Sequence, residues 1–151
     1  MQIREPDEGD FAGLAALILG IYDEIPFATT FSARPSTEEL ESIMRKKLDG
    51  MRGRTVADLI AIDNGQVIAD CEIAKTTDAG GMIGIIVDKA HRGKGLGRRL
   101  VERCADKARL FKMLEVYAEV DDRNEGAARF FSRCGFREQE GEESLVLIRH
   151  L

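Results

Sequence analysis

The sequence lacks any apolar run that could cross a membrane. None of its 151 residues lies in a stretch approaching the ~20 consecutive apolar positions that a membrane-spanning helix needs. The N-terminal segment, Met1 to Asp10, is too acidic for a signal or transit peptide. We therefore expect a cytoplasmic protein without a membrane partner. The length predicts a single domain over residues 1–151, because domains cluster at about 100–150 residues.

Cysteine and histidine are too few and too scattered for a metal centre or a catalytic triad. The cysteines Cys71, Cys104 and Cys134 contain no Cys-x-x-Cys pair, so we expect no metal and interpret them as small buried side chains. The histidines are badly placed for a Ser-His-Asp or Cys-His arrangement, since His91 lies in a cationic loop and His150 lies beside the end. A hydrolase of these classes would therefore lack its usual histidine base.

Acidic residues outnumber basic ones overall, but positive charge is concentrated in one segment. The net charge of −5 argues against a nucleic-acid partner, which requires a basic face. Residues 88–99 nevertheless contain one acidic side chain, Asp88, and a set of basic ones. These are Lys89, Arg92, Lys94, Arg98 and Arg99. The economical interpretation is a site for a small anionic ligand.

Hydrophobic periodicity predicts a mixed sheet covered by about four helices. The predicted helices cover residues 11–22, 37–48, 97–109 and 124–134. The predicted strands cover residues 3–4, 55–62, 66–74, 82–87, 114–120 and 144–148. Asn64-Gly65 is typical of a tight hairpin turn. The aperiodic segment 25–34 is predicted to be a loop that overhangs a substrate site.

A glycine-rich segment follows the strand predicted over 82–87. It lies before a predicted helix, where glycines let the backbone approach an anion and the helix N-terminus adds partial positive charge. It is not a P-loop, because Gly95 rather than Ser or Thr follows Lys94. It is not a dinucleotide fingerprint either, because Arg98 stands where the third glycine is required. A solvated basic turn is the alternative interpretation.

Two motifs in the second half of the chain carry a family resemblance. Residues 92–97 read Arg-Gly-Lys-Gly-Leu-Gly, an R-x-x-G-x-G pattern. Residues 124–136 contain N-x-x-A-x-x-F-F-x-x-x-G-F. Together they resemble the GNAT superfamily of acetyl-CoA-dependent N-acetyltransferases, over about residues 82–136. The order of the preceding predicted elements agrees with that fold.

The resemblance implies an α+β fold with three layers, α/β/α. Its mixed, mostly antiparallel sheet would have six or seven strands and about four helices. The fourth and fifth strands would splay apart, leaving the backbone of Ile85, Ile86 and Val87 free to bind the pantetheine arm of acetyl-CoA as an added strand would.

The resemblance also implies which other residues hold acetyl-CoA, the cosubstrate. The pyrophosphate would bind the loop N–H groups of Arg92, Gly93, Lys94, Gly95, Leu96 and Gly97, together with Arg98. Asn124 would hydrogen-bond the pantetheine, although it could instead be only a helix N-cap. Phe131 occupies the position where many members have a tyrosine that protonates the coenzyme A thiolate. Phenylalanine cannot donate a proton, so Tyr22, Tyr117 or water substitutes, or the thiolate leaves unassisted.

Glu119 is the candidate general base. The amine must be neutral before it attacks the thioester. The branch resembling ribosomal-protein N-terminal acetyltransferases has a glutamate in an L-E-V segment, which reads Ala118-Glu119-Val120 here. The alternative is a solvent-facing strand glutamate, and Asp70 and Glu72 are reserve bases.

The implied function is acetyl transfer from acetyl-CoA to a primary amine of a small molecule or a peptide N-terminus, by direct attack in a ternary complex. A non-catalytic acetyl-CoA-binding sensor domain is the alternative, which Phe131 keeps open. A basic-loop module for acidic partners is a third. Residues 22–39 are weakly similar to the phosphinothricin-acetyltransferase-like branch. The acceptor and the oligomeric state do not follow from the sequence, and a homodimer stays open.

Overall fold

The computed structural model describes residues 1–139 and 145–151. Its α-helices in this part of the chain are α1 (Phe11–Glu24), α2 (Thr37–Arg52), α3 (Leu96–Leu110) and α4 (Glu125–Arg133). Its strands are β1 (Gln2–Arg4), β2 (Val56–Asp63), β3 (Gln66–Lys75), β4 (Gly80–Val87), β5 (Glu115–Val120), β6 (Arg137–Glu138) and β7 (Leu145–His150). Short 3₁₀ turns cover Glu8–Asp10, Pro26–Ala28 and Lys89–His91.

Local chemistry explains most of the element boundaries. Ser36 caps α2, because its side chain accepts a hydrogen bond from the Glu39 N–H at 3.1 Å. The β2–β3 turn has positive φ at Asn64 (48°) and Gly65 (75°), so the predicted hairpin is confirmed. Helix α2 continues past its predicted end at residue 48. Of the two glycines that could end it, Gly53 is the C-cap. Gly50 lies within the helix, where a Cβ would lie 2.6 Å from Val56 Cγ2, so this glycine permits close packing.

Several element boundaries in the second half of the chain differ slightly from those predicted from the sequence. Strand β5 begins at Glu115, and Leu114 precedes it with 65% of its surface exposed. Strand β6 has two residues and no periodic signal could reveal it. Ser144, predicted to open the last strand, lies outside the described residues, and β7 continues to His150.

Within the described ranges, no helix combines the length and apolar character that a bilayer span requires.

The strands form one mixed sheet in the order β1-β2-β3-β4-β5-β7-β6, in which β4 and β5 are parallel and the other pairs antiparallel. Helix α3 packs on one face, where Leu100 and Cys104 meet Leu59 of β2. Helices α1 and α2 cover the other face, where Leu14 and Met44 meet the next residue of β2, Ile60. The predicted α+β fold, with helices on both sides of a mixed sheet, is confirmed.

Strands β4 and β5 pair at one end only. Their register runs from Gly80 opposite Glu115 to Met82 opposite Tyr117 and then stops. Beyond this point β4 keeps its antiparallel partner β3 as far as Val87, and β5 keeps β7 as far as Val120. The predicted splay between the fourth and fifth strands is therefore present.

A buried cation lies between α2 and the sheet. Lys47 Nζ is 2.9 Å from Asp58 Oδ2, 2.8 Å from Asp70 Oδ2 and 3.2 Å from Glu72 Oε2. Asp58 is fully buried, at 0% exposure. Burial alone lowers the pKa of Lys47, but the charges of Asp70 and Asp58 outweigh it and raise that pKa well above its usual value. Burial and the neighbouring Asp70 raise the pKa of Asp58 well above its usual value.

We predict that Lys47→Met destabilises the fold by about 3–5 kcal/mol at neutral pH, because it leaves buried carboxylates without their cation. Asp58 binds its proton more tightly in the folded than in the unfolded state. Stability from this group is therefore present below its unfolded pKa and lost as pH rises. Lys47 lowers the pKa of Asp58, so removing it strengthens that dependence, and the cost of the substitution should be smaller at pH ~5 than at neutral pH.

Denaturant unfolding at both pH values measures this effect. Lys46→Met is the matched control, because Lys46 is the exposed neighbour on the same helix, and it should change stability by less than about 0.5 kcal/mol. A Lys47→Met protein as stable as the wild type at neutral pH would show that the cluster contributes no net stability.

Candidate active site

A cleft of about 1220 Å³ opens where β4 and β5 separate. Its walls are the end of β4, the glycine loop with the start of α3, the end of β5, helix α4 and the segment 25–32 after α1. The predicted overhanging loop thus lines this cleft. A smaller hollow of about 520 Å³ lies between residues 5–9 and 48–52, and it includes neither motif.

The glycine loop leaves open space beside its backbone. Gly93 and Gly95 have φ angles of 76° and 82°, and a Cβ at either position would have no heavy atom within 4 Å. Gly95 is the N-cap of α3 and supplies no side-chain hydrogen bond to the helix. The first N–H groups of α3 consequently lack side-chain caps, an arrangement that suits an anion.

Gly97 has a different role from the other two glycines. A Cβ at this position would lie 3.0 Å from Phe130 Cε2, tighter than ordinary packing. The third glycine of the loop therefore lets α3 and α4 approach each other closely. The two motifs are linked through this contact, which joins the loop to the second motif.

The Arg92 side chain is fully engaged within the protein. Its Nη1 and Nη2 donate to the two carboxylate oxygens of Glu24 at 2.6 and 2.9 Å, and its Nε donates to the Val87 carbonyl at 2.8 Å. The ion pair lowers the pKa of Glu24. Arg92 thus ties the loop to the ends of β4 and α1, and only its backbone remains for a ligand. Sequence reasoning missed Glu24, because no local pattern links residues so far apart in the chain.

All predicted site residues except Lys94 line the cleft. They are Ile85, Ile86, Val87, Arg92, Gly93, Gly95, Leu96, Gly97, Arg98, Glu119, Asn124 and Phe131. The Lys94 ammonium instead folds back and donates to the Ala90 carbonyl at 3.2 Å. This contact engages only the side chain, so the binding of the pyrophosphate by the Lys94 N–H stays a prediction.

Asn124 is the N-cap of α4. Its Oδ1 accepts a hydrogen bond from the Ala127 N–H at 3.1 Å. Within residues 1–139 and 145–151, its Nδ2 donates no hydrogen bond to the protein. The cap and the predicted contact with the pantetheine arm are thus compatible, since they use different atoms of one side chain.

Phe131 belongs to the core as well as to the cleft wall. It is 5% exposed, and its ring packs edge-on against Phe130 and Phe136, with centroids 5.3 and 5.2 Å away. Of the two tyrosines named as substitute acids, Tyr22 lines the cleft. Tyr117 hydrogen-bonds Thr76 and is not among the lining residues.

Glu119 is the carboxylate best placed for proton transfer. It is exposed at the end of β5, lines the cleft and forms no ion pair within the described part of the chain. The reserve bases Asp70 and Glu72 are bound to Lys47 and do not line the cleft. Of these three carboxylates, only Glu119 lies in the cleft.

Comparison with known proteins assigns the family. The model of the acetyltransferase (GNAT) family matches residues 21–136. The chain belongs to this family. As a GNAT acetyltransferase it is an acyltransferase, which confirms the resemblance drawn from its motifs. No curated protein matches the sequence.

Solved structures share the whole fold of this GNAT protein. A ribosomal-protein-alanine N-acetyltransferase from Brucella melitensis has 21% identity and a TM-score of 0.81, with 100% of both chains covered. A putative acetyltransferase from Salmonella typhimurium, solved with its cofactor acetyl-CoA, has 22% identity and a TM-score of 0.76, covering 100% of this chain and 92% of that one. A phosphinothricin acetyltransferase from Sinorhizobium meliloti, in complex with acetyl-CoA, has 16% identity and a TM-score of 0.81, covering 99% and 88%.

We predict that Phe131→Tyr lowers the thermal midpoint. The ring is buried between two other rings, so the new hydroxyl would lack a partner at a cost of about 1–3 kcal/mol. Phe111→Tyr is the control, because Phe111 is only half-buried, and its midpoint should stay close to that of the wild type. An unchanged thermal midpoint together with faster turnover of Phe131→Tyr would contradict this prediction and show that the new hydroxyl points into the cleft.

Proposed function

We propose that this protein transfers an acetyl group from acetyl-CoA to a primary amine of a small molecule or a peptide N-terminus, by direct attack while both substrates are bound. One observation carries the proposal. A single continuous cleft joins the glycine loop to the unpaired carboxylate of Glu119, through the gap between β4 and β5.

The residues of the cleft fit acetyl-CoA along its length. The open backbone at Gly93 and Gly95, the uncapped start of α3 and the guanidinium of Arg98 suit the pyrophosphate. The edge of β4 that loses β5 as its partner suits the amide-bearing pantetheine arm, with Asn124 Nδ2 opposite. Acetyl-CoA supplies the acetyl group as a thioester.

Glu119 prepares the acceptor by taking one proton from its ammonium group, either directly or through water. The amine nitrogen then bonds to the acetyl carbon as the carbon–sulfur bond breaks, and the amide nitrogen loses its second proton to solvent. The departing thiolate takes a proton from water or from Tyr22, which lines the cleft. A thiol of pKa ~8.5 leaves readily, so Phe131 does not prevent the reaction.

We predict that Gly95→Asp nearly abolishes acetyl-CoA binding while the fold survives. The Cβ meets open space, so the added side chain costs mainly the strain of a φ of 82°. In the complex, however, the carboxylate would repel the pyrophosphate at the loop. Wild-type protein at 100 times the dissociation constant should gain about 2.7 kcal/mol of stability from acetyl-CoA, and the variant should gain almost none.

Gly65→Asp is the matched control for this variant. Gly65 has a similar φ of 75° and equally open surroundings, but it lies in the β2–β3 turn outside the cleft. It should keep the full stabilisation by acetyl-CoA. Equal stabilisation of both variants would show that the glycine loop is only a basic turn.

We predict that Glu119→Gln lowers turnover by roughly 10²–10⁴-fold, the usual contribution of a general base, and removes the acidic limb of the pH profile. Acetyl-CoA affinity should not change. Glu115→Gln is the control, because Glu115 lies on the same face of β5 outside the cleft. Turnover is followed as release of free coenzyme A thiol with a panel of amines.

The same assay separates the enzyme from a non-catalytic sensor. A sensor would bind acetyl-CoA with wild-type stabilisation but release no thiol with any amine. Full activity of Glu119→Gln would leave the acetyl transfer in place and remove Glu119 from its mechanism.

A further inference from the structure

The part of the cleft that lies outside the two motifs is lined by aromatic and charged side chains. Segment 25–32 brings Phe27 and Phe31 to the cleft wall, and Tyr22 of α1 joins them. From the other side come Glu119, Asp121 and Arg123, at the end of β5 and just beyond it. We call these six residues the acceptor end.

Arg123 and Phe27 meet across the cleft mouth. The guanidinium carbon of Arg123 lies 4.8 Å from the centroid of the Phe27 ring, within cation–π range. This contact joins the loop after α1 to the loop after β5. Arg123 covers one face of the ring, and the ring itself forms part of the cleft wall.

The charge of Arg123 is already compensated. Its Nε and Nη2 donate to the two oxygens of Asp121 at 2.8 and 2.7 Å, and its backbone N–H donates to Asp121 Oδ1 at 2.9 Å. These hydrogen bonds lower the pKa of Asp121 to about 2, so the pair stays ionised at any assay pH. Only Nη1 of the guanidinium donates no hydrogen bond within the described residues, and the charge that it shares is offset by Asp121.

The remaining charge at the acceptor end is negative. Asp121 and Arg123 cancel, and Glu119 is left without a cation in the described part of the chain. Arg92 is paired with Glu24. The other cleft arginines are Arg98, on α3 directly after the glycine loop, and Arg133, the last residue of α4.

We propose that the acceptor is a primary amine attached to an aromatic group and lacking a carboxylate beside the amine, which makes it an arylalkylamine rather than a free amino acid. The inference rests on the proposed acetyl transfer. The ammonium is attracted by Glu119, the ring packs against Phe27 and Phe31, and a carboxylate would be repelled by Glu119 without attraction from Arg123, whose charge Asp121 offsets.

A matched set of acceptors tests the inference on the wild-type protein. Phenethylamine, phenylalanine and phenylalanine methyl ester share one ring and one amine but differ in the carboxylate. With saturating acetyl-CoA, kcat/KM from thiol release should be at least about tenfold higher for phenethylamine than for phenylalanine. The methyl ester should recover most of the kcat/KM that is lost with phenylalanine, because its ester group is uncharged but at least as bulky as the carboxylate.

Asp121→Asn tests the origin of the selectivity. It frees the charge of Arg123, so the preference for phenethylamine over phenylalanine should fall by about tenfold. Asp23→Asn is the matched control. It breaks the similar exposed pair of Asp23 with Arg34, neither of which lines the cleft, and it should leave the preference unchanged. Thermal midpoints check that both variants fold.

The outcomes separate the two proposals. The inference would be overturned if phenylalanine and phenethylamine had equal kcat/KM values, or if Asp121→Asn did not alter the preference between them. Either result would leave the proposed acetyl transfer intact. Release of no thiol with any amine, while acetyl-CoA still stabilises the protein, would overturn the proposed function and the inference with it.

Discussion

The partial pairing of β4 and β5 is the constraint on which the rest of the site depends. Gly80 and Gly81 begin β4, and a Cβ at Gly81 would lie 2.7 Å from Met113 Sδ and 2.8 Å from Ile73 Cγ2. Small residues thus let β4 approach its surroundings closely at the paired end. Past Met82 the pairing stops, so β4 presents backbone that β5 does not use. The cleft, the glycine loop and Glu119 all lie around that opening.

Charge pairing decides which groups in the site remain available. Arg92 is held by Glu24, Arg123 by Asp121, and Lys47 by three carboxylates beneath α2. The exposed pairs contribute little stability, whereas the buried cluster is costly to break. Arg92 and Arg123 line the cleft, and because their carboxylate partners offset their charges, the acceptor end keeps the charge of Glu119.

Several predictions made from local patterns agree with the structure because their causes are local. The turn forms at Asn64-Gly65 because both residues tolerate the positive φ angles that it needs. Val116 and Ala118 are buried and Glu119 is exposed because successive side chains of a strand point to opposite faces. Of the two glycines that could end α2, Gly53 is its C-cap, whereas Gly50 lies within the helix and permits close packing against Val56. The Lys94 side chain folds onto the nearby Ala90 carbonyl, a contact that no local pattern predicts.

The sequence by itself determined the family, the order of the elements and the position of the glycine loop between a strand and a helix. These properties depend on residue types at short, regular spacing. Only the tertiary structure decided that Asp70 and Glu72 pair with Lys47, that Glu24 engages Arg92 and that Phe131 is packed between rings. The reason is physical. Each of these outcomes joins groups from different elements, and their proximity is set by how helices and strands pack, which no local spacing records.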